Sequence, residues 1–219
     1  MPIIETIVPA QRRSLTTPSR FRDAMAPVDI SDEALDLFIS RASAMAERYC
    51  GRVFAREHVR EEISGCGLVL LLLERTPIVA VHSVLADETA LESTSWAITA
   101  PDSGIVRLAH VTRAEWLWEQ LGGPRMYDRP SSYAQRYTVE YVGGYSVPGE
   151  IGQQQEPIDL PADLEHAVML LAHGEIVARD RTPGVTAERI GDASWTYGEG
   201  AAGMSAARPI LDHYKRPVI

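Results

Sequence analysis

The apolar residues of this chain change period twice. From Leu35 through Phe38, Ile39, Ala42, Met45 and Ala46 to Tyr49 they recur at spacings of three and four, the stripe of a helix with one buried face. From about Glu57 to Tyr145 short β-branched and aromatic runs take over, and from Asp159 the helical spacing returns. The order gives an α+β fold. It predicts a small helical core, made by two N-terminal helices and a long helix over 160–180, with an inserted antiparallel β region at 57–145 and an extended C-terminal tail at 185–219, all within a single domain 1–219.

Local signals sharpen the boundaries. Thr17-Pro18 has the form of a cap followed by proline at the first helical position, so a short helix runs from Ser19 to Met25 and stops before Pro27. Asp29 or Ser31 caps the second helix, and Gly51 ends it. In the middle region Val59, Glu61 and Ile63, the runs 68–73 and 78–85, and the weaker 95–99 and 105–108 read as strands separated by turns such as Pro101-Asp102-Ser103-Gly104. Trp116 and Trp118 suggest a short helical or loop excursion. Tyr137, Val139 and Tyr141 alternate with Thr138 and Glu140 in a strand that ends at Gly143-Gly144. Residues 146–157 are a Pro-, Gly- and Gln-rich loop. Asp159, Leu160 and Pro161 then open a helix with Leu164, Val168, Leu171 and Val177 in its core face. The tail is small-residue rich from Gly198 to Ala207 before a last short helix from Pro209 to Tyr214, and it has too little apolar mass to order without a partner.

Composition removes activities. Lys215 is the only lysine, so a P-loop and a Schiff-base enzyme are both excluded. H-E-x-x-H, C-x-x-C and G-x-G-x-x-G are absent, and Gly144-Tyr145-Ser146-Val147-Pro148 misses a nucleophile elbow by its last residue. Cys50 and Cys66 make neither a disulfide framework nor a thiolate zinc site and are expected to remain thiols. His166 and His173 share a helix face but stand about 10 Å apart along it, and Asp163 with His166 lacks a third ligand, so no metal or other cofactor is expected. The run 68–73 is far short of the roughly 20 residues of a membrane span, and the first ten residues do not read as a secretory signal, which points to the cytoplasm.

Charge bears on nucleic acid. With 21 basic against 30 acidic residues the chain carries a net charge of −9, which disfavours wrapping a phosphate backbone. Arg12, Arg13, Arg20 and Arg22 form the one local basic cluster, suited to an acidic protein surface or DNA, or simply to solubility.

Taken in order, the segments Leu15-Thr16-Thr17, Asp32-Glu33-Ala34-Leu35, Ala46-Glu47-Arg48-Tyr49-Cys50-Gly51-Arg52-Val53-Phe54, Tyr137 to Tyr145, Leu160-Pro161-Ala162-Asp163-Leu164, Glu188 to Asp192 and Leu211 to Arg216 carry a resemblance. The chain resembles the head-tail connector (adaptor) proteins of tailed bacteriophages and phage-derived gene transfer agents, over residues 15–216. The long β region and the Gln153-Gln154-Gln155 loop depart from that pattern.

The resemblance implies a non-enzymatic virion protein: a closed ring, a dodecamer, bound beneath the portal in the head-tail neck, presenting a platform to a downstream stopper or tail terminator and letting DNA pass. An acidic ring suits that passage, because each phosphate gripped adds affinity that hinders sliding. Asp32, Glu33 and Asp36, or Glu57, Glu61 and Glu62, are candidates to line the channel, against the alternative of solvated faces. Ile210, Leu211 and Tyr214 beside Lys215 and Arg216 are candidates to dock on the portal or an adjacent subunit, against the alternative of a tail folded back on its own subunit. On the docking reading, removing residues from Gly198 onward leaves a folded body. The rival functions are a small terminase-like packaging protein, which would show a compact basic helix-turn-helix that is not found here, and a metal-dependent hydrolase built on Asp163, His166 and His173.

Overall fold

The structure, a computed structural model, describes residues 3–25, 27–64, 70–108, 136–149, 157–179, 187–190, 193–196 and 203–216. The Trp116/Trp118 excursion and the glutamine loop lie outside them. The architecture is α+β, and the chain divides into two compact units, residues 1–10 with 56–145 and residues 11–55 with 146–219.

The first unit is built of antiparallel strands. A five-stranded sheet has the order β1 (Ile3–Val8), β2 (Glu57–Ser64), β8 (Arg136–Gly143), β4 (Ile78–Ala86), β5 (Thr89–Ala90). A three-stranded sheet has the order β3 (Leu70–Leu72), β7 (Ile105–Leu108), β6 (Trp96–Ala100). Alternation dictates which face is covered. On β8, Tyr137, Val139 and Tyr141 are buried, and the register sets Tyr141 against Val59 of β2 and Val139 against Val84 of β4. These side chains form one core with Leu71, Leu73, Val106 and Leu108 from the smaller sheet and the residue after it, so the sheets close over each other as two apolar faces. Two glycines permit the close approaches. A Cβ on Gly143 would lie 2.3 Å from the Arg75 carbonyl oxygen, and Gly104, at φ +73°, would place one 2.5 Å from that of Leu73.

Sequence reading did not assign β1. Its residues Ile-Ile-Glu-Thr-Ile-Val lack a polar face, and its partner is remote: Ile4 pairs with Glu61 and Thr6 with Val59.

The second unit is mainly helical. In α1 (Pro18–Ala24) the Thr17 side chain accepts from the Arg20 amide, and in α2 (Asp32–Cys50) Ser31, not Asp29, is the cap, accepting from Ala34. Gly51 closes α2 in the left-handed region at φ 68°. The α2 stripe buries Leu35, Ile39, Ala42, Ala46 and Cys50 against α3 (Ala162–Arg179), which buries Leu164, Val168, Leu171 and Ile176. Val177 is a correction: it is 38% exposed, and its neighbour Ile176 takes the core position. A hairpin, β9 (Ala187–Ile190) with β10 (Ala193–Thr196), precedes α4 (Met204–Leu211), which starts five residues before the expected Pro209 and continues into a single 3-10 turn at Asp212–Tyr214. Helix α4 packs on α3, and a Cβ on Gly203 would lie 2.2 Å from the Leu170 carbonyl oxygen.

Candidate interaction surfaces

The N-terminal arginines are engaged within the helical unit. Arg20 grips Glu165 of α3 through Nε and Nη2, both at 2.6 Å, while the Thr16 hydroxyl donates to the same carboxylate at 2.7 Å. Burial opposes the charge on Glu165, but the hydrogen bonds from Arg20 and Thr16 outweigh it and hold the carboxyl below its ordinary value. Arg22 bridges Asp32 at 2.8 Å and donates to the carbonyls of Val28 and Ile30, and Arg12 pairs with Asp36. The basic cluster thus clamps the start of α2 and the first turn of α3.

The same pairs involve two of the proposed channel acids. Asp32 and Asp36 are each matched by an arginine yet keep 72% and 46% of their side chains exposed, and Glu33 of that trio is an exposed carboxylate in the first turn of α2. The second trio belongs to the β unit and does not share one surface. Glu57 and Glu61 are corrections, at 1% and 0% exposure, because both point to the covered face of β2. Arg75 Nε donates to Glu57 at 3.0 Å; Glu61 accepts from the Tyr141 hydroxyl at 2.6 Å and from the Glu74 amide at 3.0 Å. Burial, then the charge and hydrogen bond of Glu61, push the Tyr141 hydroxyl far up. Glu62 stays half-exposed, 3.7 Å from Arg136. A signal for the burial was present in the sequence: Glu61 shares its parity with Val59 and Ile63, so the pleat sends it inward.

The C-terminal candidates are seated on their own helices. Leu211 is fully buried, which corrects its assignment to a docking face, and Ile210 is half-buried. The Tyr214 hydroxyl donates to Asp163 at 2.6 Å, and its ring meets Phe54 edge-on at 6.1 Å. Lys215 Nζ stands 4.2 Å from the centre of the Tyr49 ring, donates to its hydroxyl at 3.0 Å and bridges Asp212 at 2.8 Å; Arg208 Nε donates to the same hydroxyl at 3.0 Å. The Arg216 amide donates to the Cys50 carbonyl at 3.0 Å. The segment is ordered by α2 and α3 of its own chain, with Arg208 and Lys215 exposed as residues while their cationic groups engage Tyr49.

Asp163 accepts from Tyr214, His166 is exposed and His173 half-buried. Among the described residues no three His, Cys, Asp or Glu side chains stand together as a metal site, and no helix is long and apolar enough to cross a membrane.

No protein-family model matches the chain, and no curated protein matches its sequence. Solved structures do match. A chain in the neck of an empty gene transfer agent particle, computed with C6 symmetry, superposes with a TM-score of 0.56 at 15% identity, covering 99% of this chain and 97% of that one. The chain has the fold of a gene transfer agent neck protein. A chain of the native gene transfer agent virion matches with a TM-score of 0.53 at 14% identity, again over 99% of this chain and 97% of that one. Both likenesses span the β unit and the helical unit together, so the neck-protein fold includes the β region that departs from the connector pattern.

Proposed function

We propose that this chain is a structural protein of a virion neck, a head-tail connector that forms a closed ring beneath the portal and joins the head to the next neck or tail protein. The observation that carries the proposal is the end-to-end match to a chain of a gene transfer agent neck, covering 99% of this chain. A ring of twelve contains the sixfold axis used for that neck, which supports the dodecamer implied by the connector resemblance. The net charge of −9 supports a bore through which DNA slides without being held. No catalytic step is assigned to any residue, and assembly takes place in the cytoplasm of the bacterial host.

Exposed Lys215 and Arg208, with Arg216 beside them, are the positions proposed to meet the portal or an adjacent subunit, now as a charged rim on a folded segment. Glu33 and Glu62 remain the proposed channel carboxylates. The test is the mass of the purified chain across concentration, with and without portal, together with its location in purified particles by antibody labelling. Rings and label at the neck are expected. A fixed twofold dimer under every condition, or absence from the particle, overturns the proposal.

A further inference from the structure

Among the described residues the β unit has four sheet edges, and they are unequal. Strand β5 offers Thr89–Ala90 and β3 offers Leu70–Leu72, whereas β1 offers six residues and β6 five. Natural proteins blunt exposed edges with shortness, lysine, proline, inward-pointing charge or β-bulges. The two short edges use shortness. The two long ones carry neither lysine nor proline, and each is irregular at one point only, between Thr6 and Val8 in β1 and between Ile98 and Ala100 in β6.

On β1, Ile3, Ile7 and Val8 are 68%, 39% and 54% exposed, and the only charge, Glu5, is matched within the sheet by Arg60 at 3.3 Å. Strand β6, Trp-Ala-Ile-Thr-Ala, carries no charge and exposes Ile98. Among the described residues neither outer edge has a backbone partner.

Their placement matters as much as their composition. The residue Glu74, just beyond β3, donates its amide to Glu61 of β2, so β3 lies over the β1–β2 side of the large sheet. Strand β6 leads into Pro101, whose carbonyl accepts from the Ile78 amide of β4, so β6 lies toward the β4–β5 side. The described residues of the unit therefore present two different pairable edges, on opposite sides.

A closed ring needs two different surfaces per subunit, each fitting the other. We infer that β1 of one copy pairs with β6 of the next, joining the five-stranded sheet of one subunit to the three-stranded sheet of its neighbour around the ring. The inference rests on the ring proposed for this chain. A second copy is the occupant because the chain itself supplies both halves: ladders of six and five residues, with no like charges to oppose, and a matching chain that stands in a neck of cyclic symmetry. Pairing β1 with β1 would instead be isologous and close a dimer.

Single-cysteine variants of the full chain test it. Thr6→Cys in β1 and Thr99→Cys in β6 both replace exposed residues, and paired strands bring Cα atoms to about 5 Å, within disulfide reach. Neighbouring positions on each strand are scanned in the same way, with the unmodified chain run beside them as the baseline for its own cysteines. Mixed β1 and β6 variants are expected to give an intermolecular disulfide under mild oxidation, and neither variant alone does so. Ile7→Lys and Ile98→Lys are each expected to raise the concentration at which rings form by about tenfold, the equivalent of about 1.4 kcal/mol. Rings that assemble unchanged in both lysine variants and yield no mixed disulfide overturn the inference while leaving the ring intact. Cross-linking of a β1 variant with itself replaces it by twofold pairing. A chain that never self-associates, at any concentration or on portal, overturns ring and inference together.

Discussion

Glu165 is ionised where burial opposes ionisation, and the sign of its pH dependence follows. Its carboxyl is held below the ordinary value of 4.5 by Arg20 and Thr16 in the folded chain. The contribution to stability is therefore fully present above that ordinary value and is lost as pH falls through the lower, folded one. Glu165→Gln is expected to cost about 2 kcal/mol at neutral pH, less than a fully enclosed pair would, because the Arg20 side chain is 47% exposed. In urea unfolding followed by helical circular dichroism, the gap between the original chain and the variant should close as pH falls below 4.5; a gap that stays constant to pH 3 would count against the clamp. Cys50 makes a second prediction. Burial pushes its thiol up to about 11, with Arg52 and Lys215 pulling back and Asp212 adding to the rise, so the nucleophilic thiolate is scarce near neutrality. At pH 8 the peptide containing Cys50 should resist alkylation in the native chain and react fully once denatured, as mass spectrometry of the digested protein will report.

The elements that sequence reading placed well are those with local punctuation. Thr17-Pro18, Ser31 and Gly51 each act within a turn of their own helix, so nothing distant was needed to find α1 and α2. Strand β1 and helix α4 lack that advantage. The first is defined by β2, and the second by α3, where the meaning of Gly203 depends on the Leu170 carbonyl it must approach. The buried acids were half legible: strand parity carries Glu61 inward, but only the partner Tyr141, on a strand far along the chain, makes that burial tolerable. Tyr141→Phe should cost about 1–2 kcal/mol, since the Arg75 amide and the Glu61 carboxylate both lose a partner. For α4 the consequence is sharper. Leu211 and Ala207 are fully buried, so a chain ending before Gly203 should lose cooperative unfolding of its helical unit, and Cys50, whose Sγ lies 3.5 Å from the Leu211 carbonyl oxygen, should become readily alkylated. A truncated chain with unchanged melting and a protected Cys50 would show that α4 is dispensable packing.

Across the whole molecule, what could be read from sequence was the order of segments, which matches a neck-protein chain from end to end at 15% identity. What could not be read was which strands stand at an edge among the described residues, because an edge is defined by the absence of a neighbour and every strand looks pairable in one dimension. The division of the chain between its units has a further consequence in time. The β unit takes residues 1–10 and then nothing more until 56. On a ribosome adding roughly 5–20 residues per second, β1 is finished some 3–11 s before β2 is complete. Throughout that interval a strand of three isoleucines, a valine, a threonine and a single acid has no intramolecular partner. Several ribosomes translating one message would hold several copies of it side by side. Those seconds of synthesis, rather than the finished protein, are when the strand is most open to pairing with its own kind.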